Sequence, residues 1–596
     1  MSFRSRIGRV LLGGSNGIGL ILAIATTAQP VRGYVFEMNA SGQLRRWQLE
    51  NPDTRVKTSS VNRSTRAIIY RLDAAGFSTG NASNELNAVR AAFDQWQGID
   101  GTRLKFEEGP LVTGTRDVNS QDHTNTVFWT RDVSVNGGRD NLRGILALTY
   151  VASFSNGNVV FDADTVFNGA EFQWFTDVSD PTTQKVFVEA IALHEIGHFV
   201  GLQHSPAGAA TMLVAGEFGL NSQLGLSPDE VSAARGLYPT ADMAARVGRV
   251  TGRVLAAGQP VFGAAVFAEG AQGDLLAGTV SREDGTFSLA GLLAGVHVIR
   301  SAPLDPATSL NYLVRGADIS AAYTAAQTSF VPSNDRVVTL PAGGTVANAD
   351  LDVTGGSPPR IARLLRPASN LSSPSFTSFP VGLPPDGATR YVGVLTTTAA
   401  TADLDLEVTG KGFESGPVEV RANALPGMNL VALPITVATN AQPGLRSFRL
   451  RSGSRSGWAH GFLEIQPRFP DANRDGLDDT FQRTYWSRFT VPEAGPTADP
   501  DDDGFSNDWE FRTGSVPTDR NSAHFEIQSV RVTGAGAVVV SQAAKGKRFQ
   551  LQGRDTEAGA PWEPVGGPLT ASSDLLEFTD PAATRTVRFY RVVLLP

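Results

Sequence analysis

At 596 residues the chain is too long for one hydrophobic core, and roughly three to five domains are expected. Hydrophobic residues at 41% and charged residues at 18% exclude a disordered chain, and a net charge of -8 without a basic stripe argues against a nucleic-acid partner. There is no cysteine, which excludes disulfides, thiolate nucleophiles and cysteine-ligated metals, while 62 glycines and 34 prolines demand the frequent turns of β-rich domains.

The N-terminus carries Arg4, Arg6 and Arg9, then the apolar run "GIGLILAIA", then "TTAQP". That order predicts a signal peptide over 1–28 ending at Ala28, hence a secreted protein; the alternative is a frayed N-terminal helix. No other apolar run reaches 18 residues, so no membrane span is expected after cleavage. "RAIIYRL" then reads as a strand, and "NELNAVRAAFDQWQ" as a helix with Leu86, Val89, Phe93 and Trp96 on one face. "NTVFWT", "ILALTYV" and "NVVFDADTVFN" are strand-like. A helix is expected from Asp180 as N-cap and Pro181 at its first position to about Val200, stopped by Gly201. "LSPDEVSAARGLYP" predicts a short closing helix. From Val247 strands and turns alternate, with Asp284-Gly285 as a hairpin signal. "GGSPPR" reads as a linker, a second sandwich runs to about Pro467, and a last β unit begins at His524.

Three of the seven histidines fall within "HEIGHFVGLQH": His194, His198 and His204. His194 and His198, four apart, project from one face of a helix and can reach one ion. Gly201 can take the positive φ that turns the chain out of the helix and returns His204 as a third ligand. Three imidazoles leave one position of a tetrahedral zinc open, the catalytic arrangement, and Glu195 stands beside them as general base. Chance gives this pattern in a chain of this length with a probability of about 10⁻⁵.

The motif resembles the metzincin metallopeptidases, whose extended histidine signature is followed by a methionine turn. The resemblance implies that Met212 underlies the zinc site without ligating it. Ser205 after the third histidine resembles the matrixins, as do "AAFDQWQ" and the closing helix, whereas Val214 stands where astacin- and serralysin-like enzymes carry tyrosine. This likeness covers about 34–240. There are departures from the family: no cysteine can cap the zinc, almost no room remains for a prodomain, and "LVAGEFG" replaces the segment that lines the S1′ pocket. The resemblance also implies structural ions near "VVFDADTVFN", with Asp162 and Asp164 as calcium candidates or, alternatively, solvated strand carboxylates. Val160 replaces a histidine there, which argues against a second zinc. His123, His297, His460 and His524 are isolated and read as surface or core residues.

The first sandwich resembles carboxypeptidase regulatory-like modules, and the second is immunoglobulin-like. "DPDDDGFSNDWE" sets Asp499, Asp501, Asp503, the Phe505 carbonyl, Asn507 and Glu510 at the ligand positions of a twelve-residue calcium loop, with Gly504 at the sharp turn. "DANRDGLDDTFQ" repeats it with Asp471, Asn473, Asp475, Leu477 and Asp479, but closes on neutral Gln482, so weaker binding is expected. Both resemble thrombospondin type 3 repeats, or less closely a dockerin pair; a hydrated acidic linker is the alternative.

The expected architecture is therefore a multi-domain chain: an α+β metzincin, matrixin-like catalytic domain (34–240), a carboxypeptidase regulatory-like β-sandwich (247–354), an Ig-like β-sandwich (357–467), a calcium-loop segment (468–521) and a small C-terminal β domain (524–596). The expected function is a secreted zinc endopeptidase with structural calcium, acting on protein or peptide substrates, its modules implying an extracellular-matrix or cell-surface ligand. The alternative is a catalytically idle adhesion or scaffold protein that keeps the metzincin shell.

Overall fold

The computed structural model describes residues 44–595 except 115, 155–157, 179–183, 217–222, 308–311, 523–525, 535, 544, 556–560 and 582–586, together with a two-residue strand at 20–21. That strand, Leu20–Ile21, pairs with Ala215–Gly216. The rest of the expected signal peptide, Asp180, Pro181 and His524 lie outside the described residues. The described chain forms two compact units, Met1–Ala472 and Asn473–Pro596.

The first unit begins with a mixed sheet in which Val61–Asn62, β1 (Ala67–Leu72), β3 (Asn125–Thr130), β5 (Val160–Asn168) and β4 (Ala147–Ser153) lie side by side, with β2 (Phe106–Glu108) also pairing β1. β1, β3 and β5 run parallel, and only β4 and the short Val61–Asn62 strand run antiparallel to their neighbours. Helix α1 (Ala82–Gln97) buries the Leu86, Val89, Phe93 and Trp96 stripe expected of it. Each such side chain withdrawn from water contributes about 1.5–3 kcal/mol. Trp96 spends its one polar atom on the Leu193 carbonyl, 2.9 Å away, and so ties α1 to the helix behind it.

That helix, α2 (Val188–Phe199), starts later than the sequence suggests. Val186 and Phe187 are extended and pair in parallel with Trp174 and Phe175, so β-forming side chains win the positions assigned to the first helical turns. α2 is buried on every side, which is why it shows little amphipathic pattern. The chain leaves it through Gly201, φ 99°, where a Cβ would meet the Arg45 carbonyl oxygen at 2.5 Å. The closing helix α3 (Pro228–Leu237) has a full capping box between Ser227 and Glu230. A further short helix, α4 (Ala241–Arg246), leads into the sandwiches.

The two sandwiches are joined rather than strung in series. One eight-stranded sheet passes from β6 (Ala264–Glu269) and β7 (Leu275–Val280) of the first to β9 (Gly444–Ser452) and β10 (Arg455–Ile465) of the second, through the pair Leu275 and Leu445. The first also contains a short helix, α5 (Gly316–Ile319), between its strand β8 (Gly295–Pro303) and the next, which strand-and-turn alternation did not predict. The segment expected as a free linker is packed: Arg360 bonds the Thr328 carbonyl at 2.9 Å, and Ile361 and Ala362 are buried. The loop that follows His204 shares the same core, because Ala207, Ala210 and Leu213 cluster with Phe267, Leu275 and Phe462 of the sandwiches. The boundaries placed between 240 and 357 thus fall inside one compact unit.

The second unit holds two short helices, α6 (Asp479–Tyr485) and α7 (Asn507–Thr513), and two small antiparallel sheets around Val539, Phe549, Leu551 and Phe578.

Candidate metal centre

Helix α2 brings His194 and His198 to one side of the sheet, and the Gly201 turn returns His204 to face them. The imidazole centroids lie 4.8, 5.2 and 5.1 Å apart, and all three side chains are buried. Each Nδ1 faces a backbone carbonyl: Thr211 at 2.8 Å for His194, Leu202 at 2.8 Å for His198 and Asp318 at 2.6 Å for His204. A carbonyl only accepts, so each Nδ1 carries the proton and each Nε2 presents a lone pair. The Nε2 atoms of His194 and His198 stand 3.1 Å apart, and that of His204 is buried with no hydrogen-bond partner among the described residues. Burial holds His194 down at about 4, and burial followed by the neighbouring imidazoles holds His198 and His204 well below the usual range. Three neutral nitrogens that face one another without a proton to share are a donor set that fits Zn²⁺.

Glu195 is wholly buried beside them. Its Oε2 accepts from the Thr149 hydroxyl at 2.7 Å, and Oε1 has no hydrogen-bond partner among the described residues. Burial pushes the carboxyl up to about 8, against the lowering effect of Thr149. Thr149 also contacts the Thr165 hydroxyl across the β4–β5 register, at 2.9 Å. Met212 lies under the centre: a Cβ on Gly197, between the two helical histidines, would sit 2.2 Å from the Met212 sulfur. Its amide donates to Glu230 at 2.9 Å, and its carbonyl accepts from Ser205 at 2.8 Å.

Residues 62–239 match the family model for the matrixins. The chain is also similar to Matrix metalloproteinase-16 of Homo sapiens and of Mus musculus, at 29% identity over 158 residues, and to that of Rattus norvegicus, at 30% over 161. These matches take in 26% of this chain, which spans about a quarter (24%) of the length of the curated relatives it matches. Among solved structures, the major pilin subunit of Bacillus cereus aligns over 59% of this chain and 88% of its own at 12% identity, but a TM-score of 0.14 is no likeness of fold.

Around this matrixin-like domain the other candidates fall into place unequally. Asp162 and Asp164 point inward from β5 and are buried. Asp162 accepts from the Thr124 amide at 3.0 Å, and Asp164 from the Thr126 and Asn119 amides at 3.0 and 2.8 Å, so both fasten the 117–126 loop. Burial raises both carboxyls above the usual range, and for Asp162 the charge of Asp164 adds to it. Asp162 Oδ1 is buried with no hydrogen-bond partner among the described residues. Val214 is buried. His460 is a core residue stacked between Phe267 and Trp458, His297 is bonded to the Leu293 carbonyl at 2.9 Å, and His123 stacks on Phe161.

In the second unit the carboxylates of Asp499, Asp501 and Asp503 converge, each with an oxygen within 4.8 Å of the others. Asp499 and Asp501 accept from the Asp503 amide, and Asp503 accepts from that of Phe505 at 2.8 Å. Glu510 is buried, and neither of its oxygens has a hydrogen bond of ordinary geometry among the described residues. Burial, then Asp501 and Asp503, push it up to about 7, with the nearby Ser515 hydroxyl opposing. Asn507 donates to the Glu493 and Gly495 carbonyls, leaving its buried Oδ1 without such a bond. These orphaned oxygens fit a hard divalent cation.

The neighbouring loop has the same backbone, since Arg474 and Gly476 adopt the positive φ of Asp502 and Gly504. There, however, Gln482 turns its amide on Asp475 at 2.7 Å, a hydrogen bond where the first loop has an unpaired acid. Asn473 also bonds Asp475, Asp479 is buried at the start of α6, and Leu477 donates its amide to Asp475. Asp471 belongs to the end of the first unit.

Thr149, Glu230 and Asp318 were not foreseen. Glu230 had a signal in the Ser-x-x-Glu capping pattern, whereas Thr149 and Asp318 meet the site only through tertiary structure.

Proposed function

We propose that the protein is a secreted zinc endopeptidase that hydrolyses peptide bonds, with His194, His198 and His204 holding the metal and Glu195 as general base. The observation that carries this reading is the convergence of three neutral Nε2 lone pairs beside a buried carboxylate with one oxygen unengaged. What zinc supplies when bound is Lewis acidity toward a carbonyl oxygen and toward water. Glu195 handles the proton. Thr149 holds Oε2, so Oε1 is the atom that takes a proton from the attacking water and returns it to the departing amine. Burial raises the affinity of Glu195 for a proton, and a dication held by the three histidines would lower it. β4 ends the pairing order of its sheet among the described residues, so an extended peptide adding to it runs past Thr149 and Glu195.

Calcium is assigned to Asp499, Asp501, Asp503, Phe505, Asn507 and Glu510, and more weakly to Asp471, Asn473, Asp475, Leu477 and Asp479. Asp162 and Asp164 are a third candidate, supported by the orphaned Asp162 oxygen. The N-terminal charge and apolar pattern supports secretion, and the sandwiches would present a surface to a matrix or cell-surface ligand. An idle adhesion protein has no chemical use for a buried glutamate with one unengaged oxygen beside the histidine cluster. Elemental analysis of the purified chain should find about one tightly held zinc, and a mixed-peptide library should be cleaved without chelator and spared with it. Protein made with zinc available that carries none would overturn the reading.

A further inference from the structure

Of the three carbonyls that orient the histidines, two belong to the peptidase segment and one does not. Asp318, which bonds His204, lies 114 residues further along the chain, in α5 of the first sandwich. Its carbonyl is not left to chance. The Asp318 carboxylate accepts from the Arg315 amide at 2.8 Å and from the Arg315 guanidinium at 3.0 Å, closing the short helix on itself. That guanidinium lies 3.6 Å over the Tyr312 ring. Behind it, a Cβ on Gly316 would fall 2.0 Å from the Tyr323 carbonyl oxygen, so the turn is seated on buried Tyr323, which stacks on Phe262.

The peptidase side of the contact is equally fixed. Gly208 and Ala209 donate to the His460 and Gly461 carbonyls, both at 2.9 Å. Asp229 of α3 accepts from the Gly278 amide at 2.6 Å, and Ser232 donates to the Leu276 carbonyl at 3.1 Å. The loop that carries His204 is thus registered against the sandwich over several residues, and the 2.6 Å bond follows from that register.

Taking the zinc reading above as its premise, we propose that Asp318 is a positioning residue of the metal centre. The first sandwich supplies the partner that fixes the tautomer and ring orientation of the third ligand, and is therefore a part of the peptidase site. Partners of this kind change metal affinity by about 10–100-fold.

The test uses the full chain and reads zinc affinity by competition with a chromophoric chelator, together with the visible spectrum of the Co²⁺-substituted protein. Asp318→Ala keeps the backbone carbonyl but removes the carboxylate that anchors its turn to Arg315. It should therefore weaken zinc by several-fold, up to about 10-fold, and shift the cobalt bands. Asp318→Asn, which keeps an oxygen for the Arg315 amide, should match the parent. Arg253→Ala, which breaks an exposed pair with Asp350 on the same sandwich, should leave both unchanged. A folded Asp318→Ala with parental affinity and spectrum overturns the proposal and leaves the zinc reading standing. A parent chain that binds no zinc overturns the zinc reading itself, and this proposal with it. Should Asp318→Ala fail to fold, Arg315→Ala decides: weaker zinc binding supports the role, and unchanged binding removes it.

Discussion

The histidine cluster and the acidic loop at 499–510 both gather donor atoms that suit a cation, yet they are built in opposite ways. The histidines are neutral, buried and individually satisfied at Nδ1 by carbonyls, so their ordering cost is met by the fold before any metal arrives. The acidic loop gathers Asp499, Asp501, Asp503 and Glu510; burial and then the neighbouring carboxylates raise the proton affinity of Asp501 and of Glu510. One site is preorganised, and the other is held against its own repulsion. Chemistry on a substrate demands the first kind, because a ligand misplaced by an ångström costs rate. A structural cation suits the second, since its binding energy becomes folding energy.

The sharpest break of that comparison is Glu195→Gln. It preserves size and the contact with Thr149 but removes the base, so peptide hydrolysis should fall by about 10²–10⁴-fold while zinc content stays at the parental level. Equal cleavage rates in a peptide assay would show that the carboxylate is not the proton carrier.

Preorganisation can also be attacked from below. Gly197→Ala would press a methyl group into the Met212 sulfur, since its Cβ would stand 2.2 Å away with Trp96 at 3.2 Å on another side. Overpacking of this kind costs about 1–3 kcal/mol. Thermal unfolding of the apoprotein should report it, and zinc should bind more weakly because the floor of the site has moved. A variant as stable as the parent would mean that Met212 yields easily and does not hold the site's shape.

For the acidic loop the matching change is Glu510→Gln, which gives the first loop the closing residue of the second. It should lower calcium affinity by about tenfold, as ligand charge and rigidity set affinity in such loops. Calorimetry on the full chain can read this, with limited proteolysis of the 473–521 region in calcium and in chelator as a second measure. If proteolysis is indifferent to calcium in the parent, the stretch is a hydrated linker.

How far these sites could be seen in advance follows the same division. The histidine triad, Glu195 and the Asp499 loop are local patterns with fixed spacing, and spacing survives in a linear sequence. The α1 stripe, the strands β1, β3, β4 and β5 and the closing helix were legible for the same reason, whereas the short β2 was not. The start of α2 was misjudged because Asp180-Pro181 is a sound helix-start signal, while the parallel pairing of Phe187 with Phe175 is a tertiary fact. Thr149 and Asp318 left no trace, because a hydroxyl on a neighbouring strand and a carbonyl 114 residues away have no signature in sequence. How the two segments of sandwich texture meet was also not legible, because the Leu275–Leu445 pairing that joins their strands in one sheet is a tertiary fact.

The smallest expected effect is the one that separates the two sites most cleanly, the response of the metal-free protein to pH. The folded-state proton affinity of His194 is lowered by burial, to about 4; those of His198 and His204 are also lowered by burial, then by the neighbouring imidazoles, His194 for both and His204 as well for His198. In the unfolded chain these imidazoles protonate near 6.5. Between about 6.5 and 4 the unfolded state therefore binds more protons, so stability of the first unit from these groups is present above 6.5 and lost as pH falls. Glu510 behaves in reverse. Its proton affinity in the fold is raised, to about 7, against an unfolded value near 4.3, so the folded state binds more protons in that window. Its contribution is present below about 4.3 and lost as pH rises toward 7. Each group gives at most about 1.4 kcal/mol per pH unit. In chelator, hydrogen exchange should show amides of α2 losing protection toward pH 5 and those of α7 losing it toward pH 8. Zinc should flatten the first slope by holding the imidazoles unprotonated, and calcium the second by replacing the proton on Glu510. Slopes of the same sign in both regions would mean that the carboxylates of the loop are not confined together in solution, and the contrast between a preorganised and a repulsive site would fail there.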